Sequence, residues 1–456
     1  MQSMTITEIL EATGGKLLSG DENKKIKDIT TDSRKSAPGV LFIPLVGEKF
    51  DGHEFIKAAI DLGAEAVLTH KETDLLIDKT IIKVDDTRIA LGNIAKYYKA
   101  KHNVPTVAVT GSVGKTTTKD MIYSVMSKKY NTLKTEANYN NDIGLPLTVF
   151  SLEAAHEAAV LEMGMNHFGE IEYLAGIGRP DVAVITNIGE SHIENLGSRE
   201  GIFKAKMEIT KLFDKDNTLI VNGDNDFLSK VSKDCGYKVV YYGMNNPDND
   251  IYAKNIVSHG LKGITFTAVA NGKEYEAEVA VPGKHNVYNA LAAICVGLEF
   301  RIGMEQIIEG IRDFTLTGMR MEITEYNGAQ IINDSYNASP DSIKAALSVL
   351  GSTDNERKIA IMGDVLEMGD FAKDAHYNLG REVVKNGVDI LITAGENMKY
   401  LAQGARDEGM KNVISFDKTL DVCNYIKDKI KPGDAVLIKA SRGMHFEEVY
   451  SAITNK

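Results

Sequence analysis

Thr110-Gly111-Ser112-Val113-Gly114-Lys115-Thr116-Thr117-Thr118-Lys119 is the stretch on which the reading of this chain turns. The apolar run Thr106-Val107-Ala108-Val109 precedes it, and a segment with helical spacing follows. A strand that feeds a glycine-rich turn into a helix makes a phosphate cradle. Glycine lets the backbone approach, the N–H groups of the turn and of the helix start face the anion, and a lysine adds a point charge. Gly111, Ser112, Val113, Gly114, Lys115, Thr116 and Thr117 are the expected ATP-phosphate contacts, with the Thr116 hydroxyl offered to Mg²⁺. The stretch departs from G-x-x-x-x-G-K-[ST], because Val109 stands where the first glycine belongs. It is a short variety, T-G-x-x-G-K-T. A glycine turn beside a surface lysine is the plain alternative. It leaves the threonines and second lysine at the helix start unexplained.

The rest of the composition bounds the partners. A chain of 456 residues holds roughly two to four domains. Hydrophobic content is 43% and charged content 25%, ordinary for a globular protein. A net charge of −12 argues against nucleic acid as a partner, since binding a phosphate backbone needs a basic surface. A nucleotide needs only a local cradle. Cys235, Cys295 and Cys423 form no C-x-x-C pair and read as buried apolar residues in a reducing compartment. No apolar run approaches the ~20 residues of a membrane span, and Met1 to Glu8 lack the pattern of a signal peptide. The expectation is a cytoplasmic chain with no membrane insertion.

Three regions separate by pattern. Residues 1–102 mix short strands (Leu41–Leu45, Ala66–Thr69) with a helix near Phe55–Leu62, and polar residues from Lys99 to Asn103 before Pro105 read as a linker. From Val104 the near-continuous apolar strands Thr106–Val109, Ala158–Met163, Val182–Thr186, Thr218–Val221 and Val239–Tyr242 alternate with helical crossovers. That implies a parallel sheet covered on both faces. Ile264–Val269 and Tyr275–Val281 alternate around the hairpin signal Asn271-Gly272 and read as a small antiparallel insert. A helix follows from Asn286 to Phe300. A second α/β set, with strands Ile331–Asn333, Ile359–Met362, Ile390–Thr393 and Ala435–Lys439, begins near Thr315. There is no low-complexity segment and no short-period repeat.

Several residues stand where parallel strands release ligand groups, at their C-terminal ends. Glu162 ends one strand and His192 follows another, so both can converge with Thr116 on the phosphates. Mg²⁺ takes oxygen ligands, which suits Thr116 and Glu162. His192 alone reads equally as a capping or solvent residue, and Glu162 could instead pair with a lysine. Lys204 and Lys206 share a helical stretch, and at least one belongs to a solvated face. Asn286 and Asn289 lie on one face of a helix start, placed to read a base edge or to cap the helix. Arg320 suits a phosphate, and Asp334 ends a strand where ribose hydroxyls could reach it.

Taken together these residues resemble the Mur ligase family along essentially the whole chain. Thr31-Asp32-Ser33-Arg34-Lys35, Pro38-Gly39-Val40-Leu41-Phe42 and Phe50-Asp51-Gly52-His53 resemble the family's UDP-sugar-binding domain. The short P-loop is the family's own form. Within the family, Asn138 to Thr148, Glu162-Met163-Gly164, Asp334-Ser335-Tyr336-Asn337-Ala338-Ser339-Pro340 and Ser441-Arg442-Gly443-Met444-His445 point to D-Ala-D-Ala addition. So does Ser112-Val113, where the sibling that adds the third amino acid tends to carry Thr-Asn. Phe446 is a small departure, at a position where the family often shows Met.

The resemblance implies an α/β protein of three domains. These are a mixed α/β UDP-binding domain (1–102), a central P-loop domain with a parallel sheet and a small antiparallel insert (103–314), and a Rossmann-like domain (315–456) that binds the dipeptide. It implies an ATP-dependent ligase that phosphorylates the carboxylate of a UDP-N-acetylmuramoyl-tripeptide, after which the amine of D-Ala-D-Ala displaces phosphate. Lys115, Glu162, His192 and Lys206 would be the catalytic set. Thr116 and Glu162 would hold a first Mg²⁺, and His192 with a carbamoylated Lys206 a second. Lys206, before Met207-Glu208, matches the family lysine better than Lys204. Asn286 and Asn289 would approach adenine, and Arg320 and Asp334 would hold ATP phosphate and ribose. Ser33, Arg34, Asn140, Asn141, Tyr336, Asn337, Ser441 and Arg442 are the expected substrate contacts, in a protein acting as a monomer. A sibling that adds one amino acid, a folylpolyglutamate synthetase and a non-catalytic nucleotide-binding relative remain the alternatives. The Asp32-Ser33-Arg34 region argues against the folate enzyme, and the intact set of Lys115, Glu162, His192, Lys206 and Asp334 against the non-catalytic one.

Overall fold

Residues whose strands are apolar on both faces have to be covered on both faces, and that requirement organises the molecule. The computed structural model describes residues 1–71, 79–316 and 318–454. Among these, the strands form a five-stranded sheet, a nine-stranded sheet and a six-stranded sheet in turn along the chain, with a two-stranded pair at the N-terminus.

In the first sheet the parallel strands Asp28–Thr30, Val40–Phe42, Ala66–Thr69 and Thr80–Lys83 lie side by side, with Lys16–Ser19 antiparallel at one edge. The expected linker at Lys99 is instead helical. Helix Thr87–Lys101 runs through it and buries Lys99, which donates to the Val104 carbonyl. The polar residues there are the last turn of a helix, where lysines complement the macrodipole.

The central sheet places Thr106–Thr110 between Ala158–Glu162 and Val182–Ile185. All of these strands are buried along their length. Val107 and Val109 point to one face, packed under helices Lys115–Met126 and His285–Glu299, and Ala108 to the other. Connections leave the Thr106–Thr110 strand toward one edge and return toward the other, so the crevice beyond its C-terminal end is a topological switch point. The expected antiparallel insert is present and continues the central sheet. Ile251–Ser258 pairs in parallel with Lys238–Gly243, and Ile264–Ala270 and Lys273–Val279 then extend the same sheet antiparallel.

The last sheet is parallel in the order Ala329–Asn333, Asp434–Lys439, Arg357–Gly363, Ile390–Ala394, Val413–Phe416. Glu322–Tyr326 is antiparallel on its outer edge. The C-terminal ends of its strands carry Asp334, Lys439 and the loop after Gly363.

Candidate active site

The turn Gly111 to Gly114 is shaped by its neighbours. Gly111 sits at φ +152°, and a Cβ there would fall 1.9 Å from Thr186 Oγ1, so only glycine fits. That hydroxyl donates to the Val113 carbonyl, and Val113 N–H donates to Asn187 Oδ1 at 2.8 Å. Ser112 N–H donates to the Asn187 carbonyl, and the Ser112 hydroxyl accepts from Gly189 N–H. These bonds leave Ser112 and Val113 bracing the turn. The anion-facing amides are those at the start of helix Lys115–Met126. This helix begins at Gly114, with φ +85° and no side-chain cap. Uncapped first-turn N–H groups are a ready anion site.

Lys115 reaches back to the Gly111 carbonyl at 2.8 Å. Desolvation pushes its ammonium pKa down, Glu162 pulls it up and Arg320 adds repulsion. Glu162 is 2% exposed. Its backbone N–H donates to Thr135 Oγ1, its Oε1 accepts from Asn140 Nδ2 at 2.8 Å, and its Oε2 is buried without a partner. A buried carboxylate oxygen left unsatisfied is costly, and a cation would satisfy it. Thr116 is also buried beside this cavity. Among the described residues no three His, Cys, Asp or Glu cluster into a protein-only metal cage. Mg²⁺ is usually held by one or two carboxylates completed by substrate phosphates, and this donor set fits that habit.

Lys115, Glu162 and His192 of the central domain and Arg320, Tyr336 and Glu367 of the C-terminal one line a single cavity of about 400 Å³. Arg320 stacks on the Tyr336 ring at 4.1 Å, with Arg442 on the same ring at 5.7 Å. Arg320 Nε is buried without a partner, the complement of the Glu162 orphan. Asn140 and Asn141 line the same cavity, and Asn141 Oδ1 accepts from Ile143 and Gly144 N–H. A smaller adjoining cavity of about 90 Å³ is lined by Thr117, Asn286, Asn289, Arg320 and Asp334. There Asn289 Nδ2 donates to Asn286 Oδ1, and Asn289 Oδ1 accepts from Thr118 of the P-loop helix. Asn289 thus ties the two helices together, while Asn286 supports Asn289 and donates to the Pro282 carbonyl.

Some expected residues are placed differently. Lys204 is exposed and paired with Glu200, whereas Lys206 is 1% exposed. Desolvation and the like charge of Lys115 push the Lys206 amine well below the usual lysine range. Lys206 lines neither cavity. Ser441 is buried, and its hydroxyl accepts from Leu366 N–H, so it holds a loop. Asn337 Oδ1 accepts from Ala338 and Arg442 N–H. Asp334 accepts from Met321 N–H and, at 2.5 Å, from Lys439 Nζ. Ser33 and Arg34 line neither cavity. Arg34 is exposed and paired with Asp32 beyond the end of strand Asp28–Thr30. Cys295 and Cys423 are buried and Cys235 is partly so, all as free thiols.

Sequence reading missed Glu367, Lys439 and His285. Lys439 had a signal, a lysine closing the apolar strand Asp434–Lys439. His285 adjoins the singled-out Asn286 and lines the smaller cavity. Glu367 had none, since its partner His192 is 175 positions away.

A P-loop cradle closed from above by a second α/β domain defines a nucleotide-dependent ligase architecture, and comparison with known proteins gives it a family. Family models match in three consecutive stretches. These are "Mur ligase family, catalytic domain" over residues 25–99, "Mur ligase middle domain" over 109–297 and "Mur ligase, glutamate ligase domain" over 319–442. A UDP-N-acetylmuramoyl-tripeptide–D-alanyl-D-alanine ligase of Bacillus subtilis (strain 168) is 40% identical over 454 residues, covering 98% of each chain. The chain belongs to the Mur ligase family. Among solved structures, MurF from Acinetobacter baumannii superposes with a TM-score of 0.92 at 29% identity, over 100% of both chains. MurF ligase from Thermotoga maritima in complex with ADP gives a TM-score of 0.84 at 27% identity, over 94% of this chain and 97% of that one.

Proposed function

We infer that this chain is the ATP-dependent ligase that joins D-Ala-D-Ala to UDP-N-acetylmuramoyl-tripeptide, giving the UDP-muramoyl-pentapeptide used in peptidoglycan synthesis. The full-length relative of that activity supports the substrate assignment. The observation that carries the chemistry is the opposition, across one cavity, of Lys115 and the orphaned Glu162 carboxylate to Arg320.

In the first step a tripeptide carboxylate oxygen bonds to the γ-phosphorus of ATP, and the bond to the ADP oxygen breaks. In the second the dipeptide amine attacks the acyl carbon, loses a proton and expels phosphate. Lys115, the amides at the start of helix Lys115–Met126 and Arg320 neutralise charge on the transferring phosphoryl group. Asn286, Asn289 and Asp334 line the place for adenosine. Asn140, Asn141, Tyr336, Asn337 and Arg442 border the cavity where donor and amine meet. Residues 103–314 bind ATP, 1–102 dock the UDP-sugar around Ser33 and Arg34, and 315–456 bring the dipeptide.

Mg²⁺ would be held at two places, by Thr116 with Glu162 and by His192 with Lys206, and when bound it would offset phosphate charge. Lys206 fits carbamoylation on physical grounds. A desolvated amine repelled by Lys115 is biased to the neutral, nucleophilic form. Adding CO₂ with loss of a proton gives an anionic oxygen donor facing that same lysine. One chain supplies both walls of the cavity, which supports a monomer as the acting unit. No helix among the described residues is long and apolar enough to cross a membrane. ATP and the UDP-linked donor are cytoplasmic metabolites, so the proposal puts the enzyme in the cytoplasm.

The test is phosphate release with UDP-muramoyl-tripeptide and ATP. Turnover is expected with D-Ala-D-Ala and not with single amino acids. Turnover with one amino acid in place of the dipeptide would move the chain to a sibling activity.

A further inference from the structure

His192 opens the short helix Ile193–Leu196 at φ +64°. Its Nδ1 donates to Glu367 Oε2 at 2.6 Å, across the boundary between the central and C-terminal sheets. Glu367 too is held in the left-handed region, at φ +61°. A non-glycine residue with positive φ is uncommon and costs energy, and here both partners of one contact carry it. The loop bearing Glu367 is fixed from behind. Leu366 N–H donates to the buried Ser441 hydroxyl, and Val365 N–H donates to Nε2 of the fully buried His376. The adjoining Gly369 lies close enough to Glu194 that an added Cβ would sit 3.1 Å from its Cγ. Glu367 is therefore presented to His192 by a rigid frame. With Nδ1 committed to a carboxylate, Nε2 is the ring nitrogen left for a metal ion, and both residues line the large cavity. A metal-binding histidine commonly has such a carboxylate partner, which fixes its tautomer and raises its basicity.

We propose that Glu367 is the positioning carboxylate for His192, delivered by the C-terminal domain, so that the second metal site is complete only when that domain is seated on the central one. The proposal rests on the reading of His192 as a metal ligand. Linkage then runs both ways. Seating the domain tightens the metal, and the metal favours the seated domain by the same factor.

The experiment is a Mn²⁺ titration of the full chain with a non-hydrolysable ATP analogue, read by the EPR signal of free Mn²⁺, together with small-angle scattering at each metal level. Glu367→Ala should weaken the weaker Mn²⁺ site by about 10–100-fold, leave the tighter site unchanged and abolish the metal-dependent compaction. Glu367→Gln, which keeps shape and an acceptor, should fall between. Thermal melting confirms that each variant is folded. His192→Ala separates the two ideas. If it leaves both Mn²⁺ sites intact, the metal reading of His192 fails. If it removes one site while Glu367→Ala leaves that site unchanged, the positioning role fails. Tighter Mn²⁺ binding in Glu367→Ala would also overturn it, because Glu367 would then be a plug that the metal must displace.

Discussion

Lys204 and Lys206 share one helix and have opposite fates. Helical spacing turns one toward Glu200 and solvent and the other into the protein interior. If Lys206 carries the proposed carbamate, Lys206→Ala should lose most activity at unchanged fold and recover part of it with added short-chain carboxylates, which can occupy the space that group would fill. Full activity without rescue would remove Lys206 from the site. His285 gives a second test. Desolvation pushes its imidazole down to about 4, against the attraction of Asp334. An unfolded histidine titrates near 6.5. Between these values the unfolded chain binds more protons than the folded one. The stability this group contributes is therefore whole above pH 6.5 and is lost as pH falls through 4. The melting temperature of the parent protein should drop more steeply from pH 6.5 to 4 than that of His285→Asn. Parallel profiles would show that the imidazole is not desolvated. Single residues were legible where chemistry broke a pattern, as with Glu162 closing an apolar strand. They were illegible where the partner lay far along the chain, as with Glu367.

At the scale of elements, the strand Ala158–Glu162 shows how a carboxylate is aimed. Buried Lys119 donates to the Thr135 carbonyl at 2.7 Å, and the Thr135 hydroxyl accepts from Glu162 N–H at 2.9 Å. The P-loop helix, the segment after strand Thr132–Lys134 and the catalytic strand are thus tied at one point. Thr135→Val removes the acceptor and leaves a buried N–H unpaired, at a cost of about 1–3 kcal/mol. Denaturant unfolding should show that loss, and the Mg²⁺ requirement of the reaction should rise, while Thr135→Ser should restore both. A stability loss with an unchanged Mg²⁺ requirement would make the network merely structural. The buried parallel strands were visible in sequence because both of their faces are apolar. Glu322–Tyr326 was not, because it is an edge strand that alternates with charged residues. Ile251–Ser258 was not either, because its register shifts between Lys254 and Val257, with Asn255 at φ +52°.

At the scale of the whole molecule, three sheets divide the labour by where their strand ends point. The P-loop stands at the central crevice, and Arg320, Tyr336 and Glu367 line the same cavity from the C-terminal side. In the proposed reaction the donor carboxylate has to meet the γ-phosphate in line and the amine then has to reach the acyl carbon, and a long nucleotide-sugar needs its own dock. The first sheet is the region left for it. Asp32-Ser33-Arg34 follows the end of strand Asp28–Thr30 and His70 the end of strand Ala66–Thr69, and His53 of the Asp51–His53 pair packs against His70 with ring centroids 4.2 Å apart. Ligands of parallel sheets gather at such ends. Arg34 is exposed there, and among the described residues its guanidinium is held by Asp32 on its own turn, so a diphosphate could recruit it at little structural cost. Arg34→Ala should therefore raise KM for the UDP-linked tripeptide by about 10- to 150-fold, the weight of one charge-assisted contact of about 1.5–3 kcal/mol. The KM values for ATP and D-Ala-D-Ala and the melting temperature should stay nearly constant. A variant that instead weakened the dipeptide and spared the UDP substrate would reverse the assignment of the two outer domains.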